Sequence, residues 1–203
     1  MGNLIPIKYF FSCPIDITQT GDDVLEYLER LAYFLNETRN DFFIEYEERG
    51  TSLIKNSYIE RGVTIGDYSL IRDSYIAKGS TIGFSCEIAR SLIMENCMVS
   101  HHDFVGDSVL GKDVRIGGAV RFTNRRLDQK QIFIMFKDFQ RNTRKYKLGS
   151  IIGDNTQIGS GVVINPGTLV GKNCVIYPNL SIWGFVPFRT EVKSEKKREE
   201  IAG

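Results

Sequence analysis

The amino-acid sequence predicts an all-β protein built as a three-sided parallel β-helix, and the spacing of its aliphatic residues is the first support. From Ile59 onward these residues recur at steps of six, six and five, so the same phase returns every 17 residues. A six-residue step fits neither an amphipathic helix nor a two-sided strand. The repeating positions are Leu53, Ile59, Ile65, Ile71, Ile76, Ile82, Ile88, Ile93, Val99, Val105, Leu110, Ile116 and Phe122. The step fits a coil of three short faces, each of which gives one side chain to the centre.

The residue after the aliphatic one is the second support, because it is often small, as in Ile65-Gly66 and Ile116-Gly117. A bulkier residue there would crowd the corner of a tight coil. Stacked coils then bury a continuous aliphatic core, with successive rungs about 4.8 Å apart. A second block repeats at steps of six and predicts coils of 18 residues, at Ile152, Ile158, Ile164, Val170, Ile176 and Ile182.

The repeats divide the chain into three predicted parts. Residues 1–50 lack the repeat and contain a short strand, then a helix at about 22–36 that would cap the open end of the β-helix. Residues 51–187 form the β-helix domain, which a non-repeating excursion at 123–149 interrupts. Residues 188–203 form a charged C-terminal tail.

The composition excludes several classes of protein. The 203 residues carry a formal net charge of +1, so the overall charge predicts no nucleic-acid partner and no membrane partner. Cys13, Cys86, Cys97 and Cys174 show no CxxC spacing, and we expect reduced packing thiols. The N-terminal residues lack the basic start and cleavage site of a secretory signal. No apolar run approaches membrane length. These features predict a cytoplasmic protein.

The excursion is the most basic part of the chain. Its middle, Gln131–Lys137, alternates weakly and is a candidate hairpin arm. Asp128 and Asp138 oppose nine cations, which are Arg121, Arg125, Arg126, Lys130, Lys137, Arg141, Arg144, Lys145 and Lys147. Two interpretations stay open, an anion site for phosphate or pyrophosphate and a solvated charged face.

His101 and His102 are the only histidines of the chain, and they are adjacent on one coil. One interpretation is a general base, because an imidazole titrates near neutral pH and can take a proton from an attacking amine or hydroxyl. The other is a pair of exposed polar residues at a corner. Adjacent side chains diverge along extended backbone, so we expect no metal site in the β-helix.

Several segments carry a resemblance to a known family: His101–Gly111, Thr123–Asp128, Lys147–Asp154 and Ile164–Gly167. They resemble the C-terminal left-handed β-helix domain of bifunctional sugar-1-phosphate nucleotidylyltransferase/acetyltransferases. The resemblance covers roughly residues 43–187 and implies a left-handed coil and hexapeptide-repeat acyltransferase activity. We expect the nucleotidylyltransferase domain to be absent, because the chain is too short for it.

The resemblance implies a role for individual residues. His101 would take the proton from a sugar amine or hydroxyl that attacks acetyl-CoA or another acyl-CoA. It also implies a homotrimer with sites between neighbouring subunits. The implied acceptor contacts are Arg72, Phe104, Arg115 and Lys147, and the implied acyl-CoA contacts are Gly118, Ala119, Ser160 and Pro178.

Three acceptor positions depart from the family: Ala89 replaces a lysine, Phe104 a tyrosine and Arg115 an asparagine. Lost hydrogen-bonding groups imply either altered specificity or lost activity. Two functions therefore stay open. One is a transferase that moves an acyl group to an amino or hydroxy sugar, expected to be phosphorylated or nucleotide-linked. The other is a non-catalytic β-helix that binds a sugar nucleotide or scaffolds a partner.

Overall fold

The computed structural model describes residues 43–194 and 197–200, and this part of the chain is an all-β parallel β-helix. The strand and the helical cap predicted before residue 43 lie outside the described residues, as does Cys13. Within the described ranges no α-helix occurs. These ranges therefore contain no helix that is long and apolar enough to cross a bilayer.

The strands are short, and most contain two or three residues. Before and within the excursion they are β1 Phe43–Arg49, β2 Ser52–Ile59, β3 Thr64–Ile65, β4 Leu70–Arg72, β5 Tyr75–Ile76, β6 Thr81–Ile82, β7 Glu87–Ala89, β8 Leu92–Ile93, β9 Met98–Val99, β10 Phe104–Gly106, β11 Val109–Leu110, β12 Arg115–Ile116, β13 Arg121–Phe122, β14 Phe133–Phe136 and β15 Phe139–Asn142. After the excursion they are β16 Ile151–Ile152, β17 Gln157–Ile158, β18 Val163–Ile164, β19 Leu169–Val170, β20 Val175–Ile176, β21 Ser181–Ile182, β22 Phe185–Val186, β23 Thr190–Ser194 and β24 Lys197–Glu200.

Parallel pairing between coils builds three faces. Face one consists of the first half of β2 with β4, β7, β10, β13, β18 and β21. Face two consists of the second half of β2 with β5, β8, β11, β16, β19 and β22. Face three consists of β3, β6, β9, β12, β17, β20 and β23. The chain visits the faces in the repeating order one, two, three, so each six-residue step advances by one face.

The core columns confirm the predicted repeat. Ile71 pairs with Ile88, and the later coils pair Ile152 with Val170, an 18-residue separation. One predicted position is wrong: Leu53 is only half-buried, and the adjacent Ile54 is fully buried and pairs with Ile71. Successive side chains on a strand point to opposite faces, so this one-residue difference turns Leu53 outward.

The corners explain why small residues follow the core positions. At Gly117 an added Cβ would lie 2.7 Å from the backbone nitrogen of Ser160 on the next coil. At Gly83 it would overlap the carbonyl oxygen of Ser100. The chain then turns through a residue with positive φ, such as Ser85 (55°) or Ala119 (63°). The corners therefore bring successive coils into direct backbone contact.

The middle of the excursion forms the predicted hairpin, in which β14 pairs antiparallel with β15. Its inner side chains, Ile132, Ile134 and Phe136, are buried. The Phe136 ring lies 4.9 Å from the ring of Phe185 on face two. This part of the excursion thus covers apolar side chains of face two.

Strand pairing continues past the predicted boundaries of the β-helix domain. β1 precedes residue 51 and pairs antiparallel with β2. β23 follows residue 187 and pairs parallel with β20, and β24 pairs antiparallel with β23. The first part of the predicted tail therefore adds a further rung to face three.

We predict that Gly83→Ala destabilises the fold by about 3 kcal/mol or more, the upper end of overpacking costs, because its Cβ overlaps backbone that cannot rotate away. Gly62→Ala should cost only about 1–2 kcal/mol, the strain of an alanine in the left-handed region. Gly62 is the matched control: its φ of 77° strains an alanine, but no atom lies within 4 Å of the added Cβ. Urea unfolding measures both variants. Equal losses of unfolding free energy would contradict the steric account of the corner.

Candidate active site

The predicted catalytic and acyl-CoA-binding residues lie together along one corner, between face three and face one. Backbone N–H groups of successive coils donate to the carbonyl oxygens of His101, Gly118 and Ser160, each at 2.9 Å. Ala119 turns beside Gly118, and Pro178 continues the same column on the next coil. We call this column the His101 corner.

The imidazole of His101 is exposed and lies against bare backbone. A Cβ added to Gly118 would come within 3.0 Å of His101 Cδ2, so a side chain at that position would displace the ring. His102 adopts the left-handed turn conformation (φ 57°), and its ring packs edge-on against Phe84 at 5.4 Å between centroids. The two histidines therefore have different surroundings.

An open groove of about 360 Å³ lies on face three and ends at the His101 corner. Arg115 lines it together with Gln157 and Tyr177, and Gly117 and Pro178 close its corner end. The structure thus places Arg115, a predicted acceptor contact, beside predicted acyl-CoA contacts.

A second open groove, of about 350 Å³, lies on face one at the other side of the same corner. Glu87, Asp103, Phe104 and Arg121 line it, together with His102. Arg121 donates a hydrogen bond to the backbone carbonyl of His102. The two grooves therefore lie on either side of the corner that carries His101, whose own side chain lines neither of them.

Asp103 is a candidate site residue that the sequence interpretation did not single out. It is 2% exposed, its Oδ1 accepts a 2.7 Å hydrogen bond from the backbone N–H of Val120, and its Oδ2 has no partner. It follows Ser69 and Cys86 at 17-residue spacing in a column of small corner residues. A carboxylate in that column is the sequence signal that could have found it.

The pKa of the Asp103 carboxyl is raised to about 6, chiefly because burial disfavours its charged form. The hydrogen bond from Val120 and the positive charges of Arg121 and His101 oppose this effect. The group therefore changes charge close to the pH range in which an imidazole titrates.

Arg72 and Lys147, two further predicted acceptor residues, lie at the opposite ends of the face-one strands. This edge, which we call the Arg72 edge, is the column that contains Arg72, Ala89, Gly106, Thr123, Asn165 and Trp183. Lys147 is exposed and lies beside this edge. Its position follows from the next residue, Leu148, whose backbone N–H donates to the carbonyl oxygen of Asn124 at 3.0 Å. Within one chain the structure does not bring Arg72 or Lys147 to His101.

The arginines of this edge are paired with carboxylates. Arg72 lies 2.7 Å from Glu87, and Arg90 makes two bonds of 2.7 and 2.8 Å to Asp107. The Asp107 carboxylate raises the pKa of Arg90. Ala89, which replaces the family's lysine, is fully buried. The Arg72 edge therefore carries much less free positive charge than its sequence implies.

Phe104 connects the two ends of face one. A Cβ added to Gly106 would come within 2.5 Å of Phe104 Cζ and 2.9 Å of Asn124 Nδ2. The ring thus extends from its strand near the His101 corner toward the Arg72 edge. Its Cζ, which would bear the hydroxyl of a tyrosine, points to the Asn124 side.

The described cysteines confirm the prediction of reduced packing thiols. Cys86, Cys97 and Cys174 are free and buried. Burial raises the pKa of Cys97 to about 12 and that of Cys174 to about 11, so neither forms a thiolate readily. Across the described ranges no group of three or more metal-binding side chains is present.

Two family profiles match the β-helix. Residues 53–135 match the family described as GMPPB C-terminal domain. Residues 149–182 match the family described as bacterial transferase hexapeptide (six repeats).

Curated relatives match over part of their length. The bifunctional sugar-1-phosphate nucleotidylyltransferase/acetyltransferase of Sulfurisphaera tokodaii is 36% identical over 94 residues, which is 46% of this chain and 23% of that protein. The bifunctional protein GlmU of Methanococcus maripaludis is 35% identical over 120 residues, which is 56% of this chain and 29% of that protein. The chain therefore spans about a quarter of these relatives.

A solved structure shows the fold. A Bacillus cereus protein assigned as an acetyltransferase superposes with a TM-score of 0.54 at 18% identity, over 72% of this chain and 79% of that chain. Together with the hexapeptide profile, it confirms the predicted left-handed β-helix of hexapeptide repeats.

We predict that Asp103→Asn removes a pH-dependent loss of stability. Because the pKa of Asp103 is higher in the folded than in the unfolded chain, its protonated form stabilises the fold below about pH 4, and this contribution is lost as pH rises through about 6. The unfolding free energy of the wild type minus that of the variant should therefore fall between pH 4 and 7.

Urea unfolding at each pH measures this difference. Asparagine keeps an oxygen for the Val120 N–H, so the variant isolates the charge of Oδ2. A difference that stays constant, or that rises with pH, would contradict a desolvated carboxyl.

Proposed function

We propose that this chain, whose β-helix is homologous to the C-terminal part of GlmU-like bifunctional nucleotidylyltransferase/acetyltransferases, is an acyltransferase of the hexapeptide-repeat type. Its donor is acetyl-CoA or another acyl-CoA, and its acceptor is an amino or hydroxy sugar. The acceptor is a sugar phosphate or a nucleotide-linked sugar.

The position of the His101 imidazole is the observation that carries the proposal. The ring is exposed on bare Gly118 backbone, and an open groove lies on each side of its corner. In this proposal, two substrates that enter from the two grooves approach the corner from opposite sides and react beside the ring. The residues implied for the acyl donor, Gly118, Ser160 and Pro178, form the wall above it.

The chemistry needs one base at this point. The acceptor nitrogen or oxygen forms a bond to the thioester carbonyl carbon, and the carbon–sulfur bond breaks. The acceptor proton passes to the imidazole of His101, which then returns a proton to the CoA thiolate. The buried carboxyl of Asp103 lies two residues away, and the positive charge of His101 lowers its pKa against the larger effect of burial.

The acceptor site needs two subunits in this proposal. In a single chain, His101 lies at one end of the face-one strands, and Arg72 and Lys147 lie at the other end. A cyclic trimer repeats one heterologous contact three times, so it can set the His101 corner of one chain against the Arg72 edge of the next. We therefore propose a homotrimer with shared sites.

A non-catalytic function is the second candidate, and the charge pairing at the Arg72 edge favours it. Glu87 and Asp107 occupy the guanidinium groups of Arg72 and Arg90, so a phosphate must compete with two carboxylates. In this case the chain scaffolds a partner, or binds a sugar nucleotide away from these two arginines, and His101 performs no chemistry.

We predict that His101→Ala lowers acetyl transfer at least about a hundredfold, because a well-placed general base contributes this much or more. His102→Ala is the matched control and should lose little, because the His102 ring packs on Phe84. Transfer is measured as CoA release, and circular dichroism checks that both variants fold. Equal losses in the two variants would contradict the assignment of the general base to His101. No loss in either variant would support the non-catalytic function.

We predict that mixed trimers of His101→Ala and Arg72→Ala chains regain activity. Each mixed trimer contains one site with both residues intact, so its activity should reach about one third of wild type. Co-expression with two different tags isolates the mixed trimers, and each variant alone is the control. Light scattering that gives a monomer, or mixed trimers as inactive as the parents, would contradict the shared site.

A further inference from the structure

A third groove lies at the C-terminal end of the Arg72 edge. Its volume is about 530 Å³, and Arg125 and Leu127 of the excursion lie on one side, with Pro166 and Trp183 on the other. Trp183 is the single tryptophan of the chain and is 53% exposed. The groove, which we call the Trp183 groove, therefore presents an aromatic surface to solvent.

One of its two arginines is available for a ligand. Arg126 makes bonds of 2.8 and 2.7 Å to the two carboxylate oxygens of Asp128, and its charge holds the pKa of Asp128 below the usual range. Arg125 is exposed and forms no ion pair with any residue that the structure describes. The groove thus holds one neutralised pair and one free cation.

The floor of the groove is fixed before any ligand binds. Asn165 Nδ2 donates to Ser181 Oγ at 2.9 Å and to the carbonyl oxygen of Ile182 at 3.0 Å. Pro166 has a restricted backbone. These contacts hold Asn165 and the residue before Trp183 in one arrangement, so binding a ligand costs little conformational entropy at these residues.

The combination of groups selects the class of ligand. A flat heterocycle stacks on an exposed indole ring, and a guanidinium binds phosphate by charge-assisted hydrogen bonds. A bare inorganic anion would leave Trp183 unused, and an apolar ligand would leave Arg125 unused. We propose that the Trp183 groove binds a nucleotide, with its base on Trp183 and a phosphate on Arg125.

The position of the groove indicates which substrate carries the nucleotide. Trp183 lies on the Arg72 edge, three rungs above Gly106, or about 14 Å at the usual strand spacing. Lys147 lies between these levels. Arg72 and Lys147, the residues implied for the acceptor, lie on this same edge. The nucleotide therefore belongs to the acceptor, a nucleotide-linked sugar, and this step rests on the proposed function.

Because Trp183 is the only tryptophan, its fluorescence reports the groove directly and without any acyl transfer. Titration of the full chain with uridine or guanosine diphosphate should give saturable quenching. Arg125→Ala should weaken binding about tenfold at low salt, the loss expected for a charge-assisted hydrogen bond. This loss should shrink at high salt, where screening already weakens the wild type.

Arg126→Ala combined with Asp128→Ala is the matched control and should change the affinity less than about threefold, because it removes an exposed pair whose opposite charges already cancel. CoA is titrated in parallel. Quenching by the nucleoside diphosphates supports an acceptor nucleotide, whereas quenching by CoA alone supports a nucleotide groove that serves the donor and overturns its assignment to the acceptor.

No quenching by any nucleotide, or equal losses in the two arginine variants, would overturn the groove itself. If binding is present while His101→Ala leaves transfer unchanged, the groove stands and the proposed transferase function fails. The two proposals can therefore fail separately.

Discussion

Backbone contact at the corners is the constraint on which the rest of this structure depends. A Cβ at Gly66, Gly117 or Gly159 would approach the next coil to 2.7, 2.7 and 2.6 Å. No side chain fits there, so the surface above such a corner consists of bare backbone. His101 lies beside such a corner, on Gly118, where the atoms closest to an added Cβ belong to His101 itself, and a slender substrate arm could follow the neighbouring backbone. The chemistry that we propose thus follows from the requirement that coils stack tightly.

The fold could be predicted from the sequence because one short-range rule repeats. A core residue and a small residue at every sixth step determine the faces, the corners and the 17- and 18-residue registers, and the structure confirms them. The prediction of Leu53 departs from this rule, because the 17-residue period extended back from Ile71 gives Ile54 at the first coil. Pairing with Ile71 decides in favour of Ile54.

The sequence predicts the parts of the site that follow the coil-to-coil register of the repeat. It does not predict the parts that depend on contacts between side chains. The column of His101, Gly118, Ser160 and Pro178 follows from family motifs placed on the repeat. The pairing of Arg72 with Glu87 depends on side-chain direction between coils, which spacing does not determine. The excursion has no repeat at all, so the burial of Ile134 against the β-helix could not be inferred.

Charge gives face one two chemically different ends. Beside the His101 corner lie a buried carboxyl with a free oxygen and an exposed imidazole, groups suited to proton transfer. At the Arg72 edge the arginines near Ala89 are paired. Arg125 and Lys147, which form no ion pair among the described residues, lie toward the C-terminal coils. This distribution favours an acceptor whose phosphates bind at the C-terminal end of the edge. In the transferase that we propose, the departures from the family correspond to a changed acceptor.

The central claim is that an acyl donor follows the His101 corner along face three and ends beside the imidazole. The most direct test is a crystal structure of this chain with acetyl-CoA. We expect the pantetheine arm to lie along Gly118, Ser160 and Pro178, with the thioester next to His101 and room for an acceptor atom about 3–3.5 Å from its carbonyl carbon. Acetyl-CoA bound elsewhere, or with its thioester remote from His101, would contradict the account.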